Sequence, residues 1–330
     1  MIEIIETGPL NTIQDLGRPG YRSIGVTASG AMDPLAMEIG NILLGNQRGV
    51  AVIEVQTFPF RLSFTKGGAF ALTGADCRAK LDGVALPPWW AAEAEAGQVL
   101  ELSPPLRDAR AYVSLAGGAD VAEVMGSRST SLRGSFGGFS GRTLAVGDGI
   151  ASGAVEPVFL PKGGFGVVPP AIALRDMFPV DEDGALRVRA LPAGEHDLFG
   201  ADADRFWRQP WKVSARSDRT GYRLSGDPIH PIEVVEMRSH GVVPGVIQVP
   251  PAGEPIVQMS DANTAGGYPK IAGVIEADLW RMGQARIGST LRFVPATHAE
   301  ARAIEKALAA YIEDIRSTAR LVREALVAMA

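Results

Sequence analysis

Ala111-Tyr-Val-Ser-Leu-Ala116, running straight into Gly117-Gly-Ala-Asp120, is the stretch that decides the fold. A short apolar run stopped by paired glycines has the length of a strand and falls short of a helix. Working outward, the same pattern recurs in Ala51-Val-Ile-Glu-Val55 and Ala69-Phe-Ala-Leu72 upstream, and in Ile232-Glu-Val-Val235 and Leu291-Arg-Phe-Val294 downstream. A parallel α/β fold needs a long helical crossover after nearly every strand. Only Pro34 to Leu44 offers one, with Leu35, Ile39, Ile42 and Leu43 near helical spacing, Asp33 as N-cap and Pro34 at the first position. With 39 glycines and 23 prolines in 330 residues, the chain is expected to be mainly β, of barrel or sandwich type.

The carboxyl-terminal end departs from this pattern. Thr297-His-Ala-Glu300 is a capping box, and Ile304, Leu308, Ile312, Ile315, Val322 and Leu326 follow a helical period. A helical tail from 297 to about 328 is predicted, packed on the chain's own core. The stretch 155–170 is rich in proline and glycine and reads as a linker. The expected organisation is a first domain over 1–160, a second over 161–296 and the helix over 297–330. A faint echo between Asp15-Leu-Gly-Arg-Pro-Gly-Tyr-Arg22 and Asp218-Arg-Thr-Gly-Tyr-Arg223 hints at duplication.

Composition narrows the function. The formal charge is 32 − 37 = −5, without the basic excess that phosphate backbones require, so a nucleic-acid partner is not expected. One cysteine, Cys77, excludes an internal disulfide framework and reads as a small buried residue. The four histidines (His196, His230, His240, His298) lack metal-ligand spacing, so no metal is expected. Glu3 and Glu6 stand where a signal peptide would place basic residues, and no run reaches the length of a membrane span, which predicts a cytoplasmic protein with no membrane contact.

Four glycine-dense stretches carry the polar chemistry. They are Asn11 to Gly20 with Ser29-Gly-Ala-Met-Asp33, then Ala116 to Asp120 leading to Gly126-Ser-Arg-Ser-Thr-Ser131 and Gly137 to Arg142. Downstream lie Ser214 to Arg223, and Gln248-Val-Pro-Pro251 with Gln258 to Lys270. Glycine lets backbone N–H groups approach a ligand, and arginine supplies planar donors for carboxylate or phosphate oxygens. Each stretch alone is also the vocabulary of a tight turn. Together they suit a polar cleft that accepts negative oxygen atoms, with Asp15, Asp33, Asp218 and Asp261 as bases or as partners of the arginines. Lys270 stands out because the chain has 26 arginines and six lysines, and its ammonium suits a developing oxyanion or a carboxylate as well as it suits a solvated loop. No nucleophile elbow or Walker-type phosphate loop is present. Trp89-Trp90 reads as packing or as a partner surface.

Thr12-Ile-Gln-Asp-Leu-Gly-Arg-Pro-Gly20, Leu72-Thr-Gly-Ala-Asp76, Gly126-Ser-Arg-Ser-Thr130 and Ser217-Asp-Arg-Thr-Gly-Tyr-Arg-Leu224 follow one another in an order that is similar to a known family. Gly245-Val-Ile-Gln-Val-Pro-Pro251 and Gly266-Gly-Tyr-Pro-Lys270 complete the match over most of residues 1–296. The chain resembles the biotin-dependent carboxyltransferase family, also called allophanate hydrolase subunit 2, whose stand-alone members look like the C subunit of bacterial 5-oxoprolinase. The resemblance implies cyclophilin-like β-barrel domains and a subunit 1-like partner (the B subunit), joined by a third hydrolase subunit for ATP-dependent ring opening of 5-oxoproline to glutamate. It leaves two alternatives behind that reading: the carboxyltransferase part of a biotin-dependent urea (amide) carboxylase, or a regulator that antagonises a sensor-kinase inhibitor. ATP belongs to the complex, and no Ala-Met-Lys-Met context is present to attach biotin to this chain.

The substrate would be a small lactam or amide whose carbonyl oxygen gains negative charge. Lys270, Asp261 and Asp218 are the expected catalytic residues. Arg18, Asp33, Arg219, Tyr222, Gln248, Thr264, Gly266 and Gly267 are expected to bind substrate. Two departures bear on substrate choice. The family pattern Asp-Arg-Gln-Thr-Thr-Gly-Gly-Tyr here reads Asp261-Ala-Asn-Thr-Ala-Gly-Gly-Tyr268, and His240 stands where glutamate is expected.

Overall fold

Strand Arg107–Leu115, which contains most of the decisive run, pairs antiparallel with Gly68–Asp76 on one side and Val52–Val55 on the other. Ala111 and Val113 point into a core with Ile53, Leu62 and Phe70, while Tyr112 and Ser114 are buried on the opposite face. Helix Pro34–Leu44 packs on this sheet, and the Thr73 hydroxyl donates to its Ala36 carbonyl at 2.7 Å. Burial on both faces is why the run is continuous in sequence instead of alternating.

The computed structural model describes residues 1–154, 158–234 and 236–327 in two compact units. The first holds residues 1–18, 29–169 and 309–330. Its strands form two six-stranded sheets that contribute to one apolar core. In one, Ile2–Glu6, Phe60–Phe64 and Val99–Leu102 lie side by side. The other is centred on Gly68–Asp76 and Arg107–Leu115. Cys77 is buried there, and Trp89 packs inward.

The second unit holds residues 19–28 and 170–308. Seven of its strands close into a barrel. Leu186–Pro192 begins the circuit beside Lys270–Val274, and Thr290–Pro295 ends it, paired parallel with Leu186–Pro192. Val188, Trp211, Leu224, Ile247, Val257, Ala272 and Leu291 are buried among its strands. Helix Ala201–Arg208 lays Phe206 on Phe293, with ring centroids 4.9 Å apart. Among the described residues, hydrogen bonding closes one barrel, where the sequence reading expected two.

Helix His298–Val327 starts at the predicted capping box. The Thr297 N–H donates to Glu300 Oε2 at 2.7 Å, and the Glu300 N–H donates to Thr297 Oγ1 at 3.2 Å. In the second unit, Ala301, Ile304 and Leu308 pack against Ile275 and Ala277. In the first unit, Arg323 Nη1 donates to the carbonyls of Ile42 and Leu43 at 2.8 and 3.1 Å, capping helix Pro34–Leu44, and Arg316 pairs with Glu38 at 3.2 Å. Position 328 of the predicted tail and 155–157 of the predicted linker lie outside the described residues.

One expected strand is absent. Residues 232–234 form a bend, with Ile232 74% and Val234 97% exposed, and Val235 lies outside the described residues. Pro231 has no ladder donor, and the Ile232 N–H is spent on the Leu198 carbonyl at 2.8 Å.

Candidate active site

In the first unit, the conspicuous polar motifs are engaged with one another. Asp15 Oδ1 accepts from the Ser127 hydroxyl at 2.7 Å, the Ser129 hydroxyl at 2.5 Å and the Gly17 N–H at 2.7 Å, and Oδ2 accepts from the Arg128 N–H at 2.5 Å. Arg18 is 0% exposed; its guanidinium donates to the Ser129 and Val124 carbonyls and lies 4.9 Å from the Phe136 ring centre. A Cβ at Gly137 would sit 2.2 Å from the Ser129 carbonyl oxygen, so this knot admits only glycine there. Asp33 is the helix N-cap and accepts from the Ala36 N–H at 2.9 Å. Its own N–H donates to the Tyr112 oxygen at 2.8 Å, and the Tyr112 hydroxyl donates to buried Glu54 at 2.8 Å. Burial and the neighbouring Glu54 carboxylate together push the Tyr112 hydroxyl well above the ordinary phenol range. Arg18 and Asp33, expected to bind substrate, are therefore enclosed in this unit, holding a loop and a helix start.

The other predicted residues lie in the second unit. Asp218 is exposed, and its Oδ1 accepts from the N–H groups of Thr220 and Gly221 at 2.8 and 3.1 Å, closing the turn that leads into strand Gly221–Ser225. Arg219 and Asp261 are both buried and pair through Nε–Oδ2 at 3.0 Å and Nη2–Oδ1 at 3.4 Å, while the Asp261 N–H returns to the Arg219 carbonyl at 2.9 Å. Tyr222 is buried, with its hydroxyl 3.4 Å from the Ala285 carbonyl. Thr264 accepts from the Val242 N–H through its carbonyl at 3.2 Å, and Arg22 Nη2 donates to the carbonyls of Asn263 (2.9 Å) and Val242. The 261–266 loop is thus anchored by side chains and backbone together.

The remaining predicted residues converge. Strands Val246–Gln248 and Ile256–Gln258 pair antiparallel, with fully buried Ile247 opposite Val257. Side chains alternate along a strand, so Gln248 and Gln258 stand on the opposite face from that pair. Both are nonetheless buried, and the ribbon made by His240–Gly241 and Ala265–Gly266 lies against Gln248. A Cβ at Gly266 would sit 2.6 Å from Gln248 Nε2, so glycine is what lets the ribbon approach.

Lys270, register partner of Gln248, is 7% exposed. Its ammonium donates to the Tyr268 carbonyl at 3.3 Å and to His240 Nε2. Gln248 Nε2 donates to the same carbonyl at 3.4 Å, and Gln258 Nε2 donates to Gln248 Oε1 at 3.1 Å. Glu195 accepts the Lys270 N–H at 3.2 Å, with its other oxygen 3.8 Å from His240 Nε2. Burial pushes the Lys270 ammonium below the usual lysine range, and the Glu195 charge opposes that shift. The cluster offers one cation, neutral amides and a carboxylate, donors and acceptors that suit an amide group.

Three of its members were not predicted. His240 drew notice only as a departure from the family pattern, Gln258 only as the first residue of a glycine-dense stretch, and Glu195 carries no signal in the sequence. Gly267 directly follows the ribbon, and a Cβ there would meet the Met237 carbonyl oxygen at 3.0 Å.

Comparison with known proteins adds a second line of observation. The family model for the carboxyltransferase domain, subdomain A and B, matches residues 24–295. The chain is 39% identical over 320 residues to the C subunit of 5-oxoprolinase from Escherichia coli (strain K12), covering 96% of this chain and 97% of that one. It is 38% identical over 317 residues to the C subunit of 5-oxoprolinase from Haemophilus influenzae, covering 96% and 98%. Among solved structures, the Kluyveromyces lactis urea carboxylase superposes with a TM-score of 0.83 at 27% identity, covering 95% of this chain and 29% of that one.

Proposed function

The chain belongs to the carboxyltransferase domain family, and from that premise we propose that it is the C subunit of an ATP-dependent 5-oxoprolinase. The observation that carries this reading is the end-to-end similarity to two proteins of that name, each covered at 97% or more. The urea carboxylase likeness extends over 29% of that longer chain and supports the runner-up, carboxyl transfer to a urea-type amide. Both readings concern a small amide.

In ring opening, water adds at the lactam carbonyl, the ring C–N bond breaks and the nitrogen takes up a proton, leaving glutamate. Negative charge develops on the carbonyl oxygen, and Lys270 is the group assigned to face it, from a buried position where such a contact is worth most. Glu195 holds the Lys270 backbone and supports its charge. The Arg219–Asp261 pair fixes the 261–266 loop, and Asp218 holds the turn into strand Gly221–Ser225. One ammonium is too little positive charge for a triphosphate, so ATP is assigned to the assembly, with a partner resembling the 5-oxoprolinase B subunit and a third hydrolase subunit. We read the assembly as cytoplasmic; separately, no described helix is long and apolar enough to cross a membrane.

The test is reconstitution with the products of co-expressed partner genes. ATP-dependent loss of 5-oxoproline should appear only in the full assembly. Lys270→Ala should lower turnover by about 100-fold or more while the complex still forms. Avidin-sensitive carboxylation of urea instead would favour the runner-up. A stable complex without turnover on either compound would favour a regulatory role.

A further inference from the structure

The amide chain beneath the ribbon has a fixed polarity. The Tyr268 carbonyl can only accept, so Gln248 must turn its Nε2 toward it, at 3.4 Å. That leaves Gln248 Oε1 facing Gln258, which must answer with its own Nε2, at 3.1 Å. Gln258 Oε1 is therefore the outer end of the chain. Gln258 is 5% exposed, and no described residue donates to this oxygen. A buried carbonyl without a donor is costly, and a protein retains one where a ligand completes it.

Lys270 supplies the complementary half. His240 Nδ1 lies 3.1 Å from the Arg238 carbonyl, which places the ring proton there and leaves Nε2 as an acceptor. Two ammonium protons go to His240 Nε2 and the Tyr268 carbonyl, leaving a third for a ligand. One donor and one acceptor in a single covered cluster match the two polar atoms of an amide, its C=O and its N–H. A small lactam ring holds these atoms cis, on one edge.

We propose that Gln258 is a specificity-determining residue whose Oε1 accepts the substrate's amide N–H while Lys270 holds its carbonyl oxygen. This rests on the reading of the chain as a lactam- or amide-handling subunit. It requires that an ester of the same shape bind poorly, because a ring oxygen would leave Gln258 Oε1 facing a lone pair.

The experiment measures binding of 5-oxoproline, its lactone counterpart 5-oxotetrahydrofuran-2-carboxylate and urea to the reconstituted complex by titration calorimetry. The wild type should prefer the lactam to the lactone by about ten-fold or more. Gln258→Met should weaken the lactam by about ten-fold or more and change the lactone by less than about two-fold. Gln258→Glu keeps an acceptor oxygen but loses the Nε2 donated to Gln248, so it should bind the lactam more weakly while still preferring it to the lactone, and melting temperatures report whether each variant folds. Equal loss of both ligands in Gln258→Met, or no loss of either, would overturn the assignment, as would a wild type that binds none of the three. If the wild type does not turn over 5-oxoproline but binds urea in a Gln258-dependent way, the 5-oxoprolinase reading falls and the assignment stands. Full turnover with no dependence on Gln258 sinks the assignment alone.

Discussion

Replacing Gly266 by alanine tests whether the amide chain is as rigid as its hydrogen bonds imply. The new Cβ would lie 2.6 Å from Gln248 Nε2 and 3.1 Å from its Oε1, where van der Waals contact begins near 3.4 Å. Gly266 has an ordinary backbone conformation, so the cost falls on the side chain it strikes. Gln248 is buried and must swing away, losing its bonds to the Tyr268 carbonyl and to Gln258. At about 0.5–1.5 kcal/mol each, the pair sums to about 1–3 kcal/mol, equivalent to about 5- to 150-fold in an equilibrium constant. In a unit of this size that lowers the melting temperature by a few degrees, at about 2–4 °C per kcal/mol. Lactam affinity should fall with it, since Gln258 loses its anchor. Gly273→Ala is the control, because a Cβ there meets nothing within 4 Å. The decisive comparison is the double variant. Once Gln248→Ala has removed the struck side chain, adding Gly266→Ala should cost less than about 0.5 kcal/mol more, a clear departure from additivity. If Gly266→Ala melts and binds like wild type, or if the two substitutions simply add, the chain has room to move and the reasoning is wrong.

Three further outcomes follow from the same contacts. Glu195→Gln removes the charge that holds Lys270 protonated against burial, so the alkaline limb of the turnover profile should move to lower pH; a limb that stays in place would detach Glu195 from Lys270. Asp15→Ala strands four donors in the first unit and should cost about 3–5 kcal/mol in denaturant unfolding, with little recovery in Asp15→Asn because an amide cannot accept from all four. Arg323→Ala uncaps two carbonyls of helix Pro34–Leu44 and should lower stability by about 1–2 kcal/mol, read by the same unfolding; no change would mean that solvent replaces the guanidinium.

The elements legible in sequence are those whose signals are local. Asp33 and Pro34 mark a helix start because one side chain accepts an orphan N–H and the other has no N–H to lose. Thr297 and Glu300 satisfy each other three residues apart. Helices Ala201–Arg208 and Leu279–Gln284 begin without any side-chain cap, so nothing in the text announces them. The run at 232–234 looked like a strand because β-branched residues suit strands, yet pairing depends on donors elsewhere, and Pro231 with the Leu198 carbonyl removes them.

The site was less legible than the fold for a related reason. Aspartate and arginine look alike in sequence whether they meet a ligand or a neighbouring loop, and the difference lies in where their partners come from. Asp15 finds four donors within its own unit, and Arg18 donates to two backbone carbonyls of the same unit. Gln258 carries no charge and stands out in sequence only as the first residue of a glycine-dense stretch, yet no described residue donates to its Oε1 once the register of three strands is set. Its significance depends on Gln248 ten residues away, on a backbone carbonyl at Tyr268 and on a glycine that lets the ribbon close over both. None of these is a residue-type signal. The hydrogen-bond chain from Tyr268 to Gln258 is defined by the direction in which its donors and acceptors run, and that direction exists only after the chain has folded.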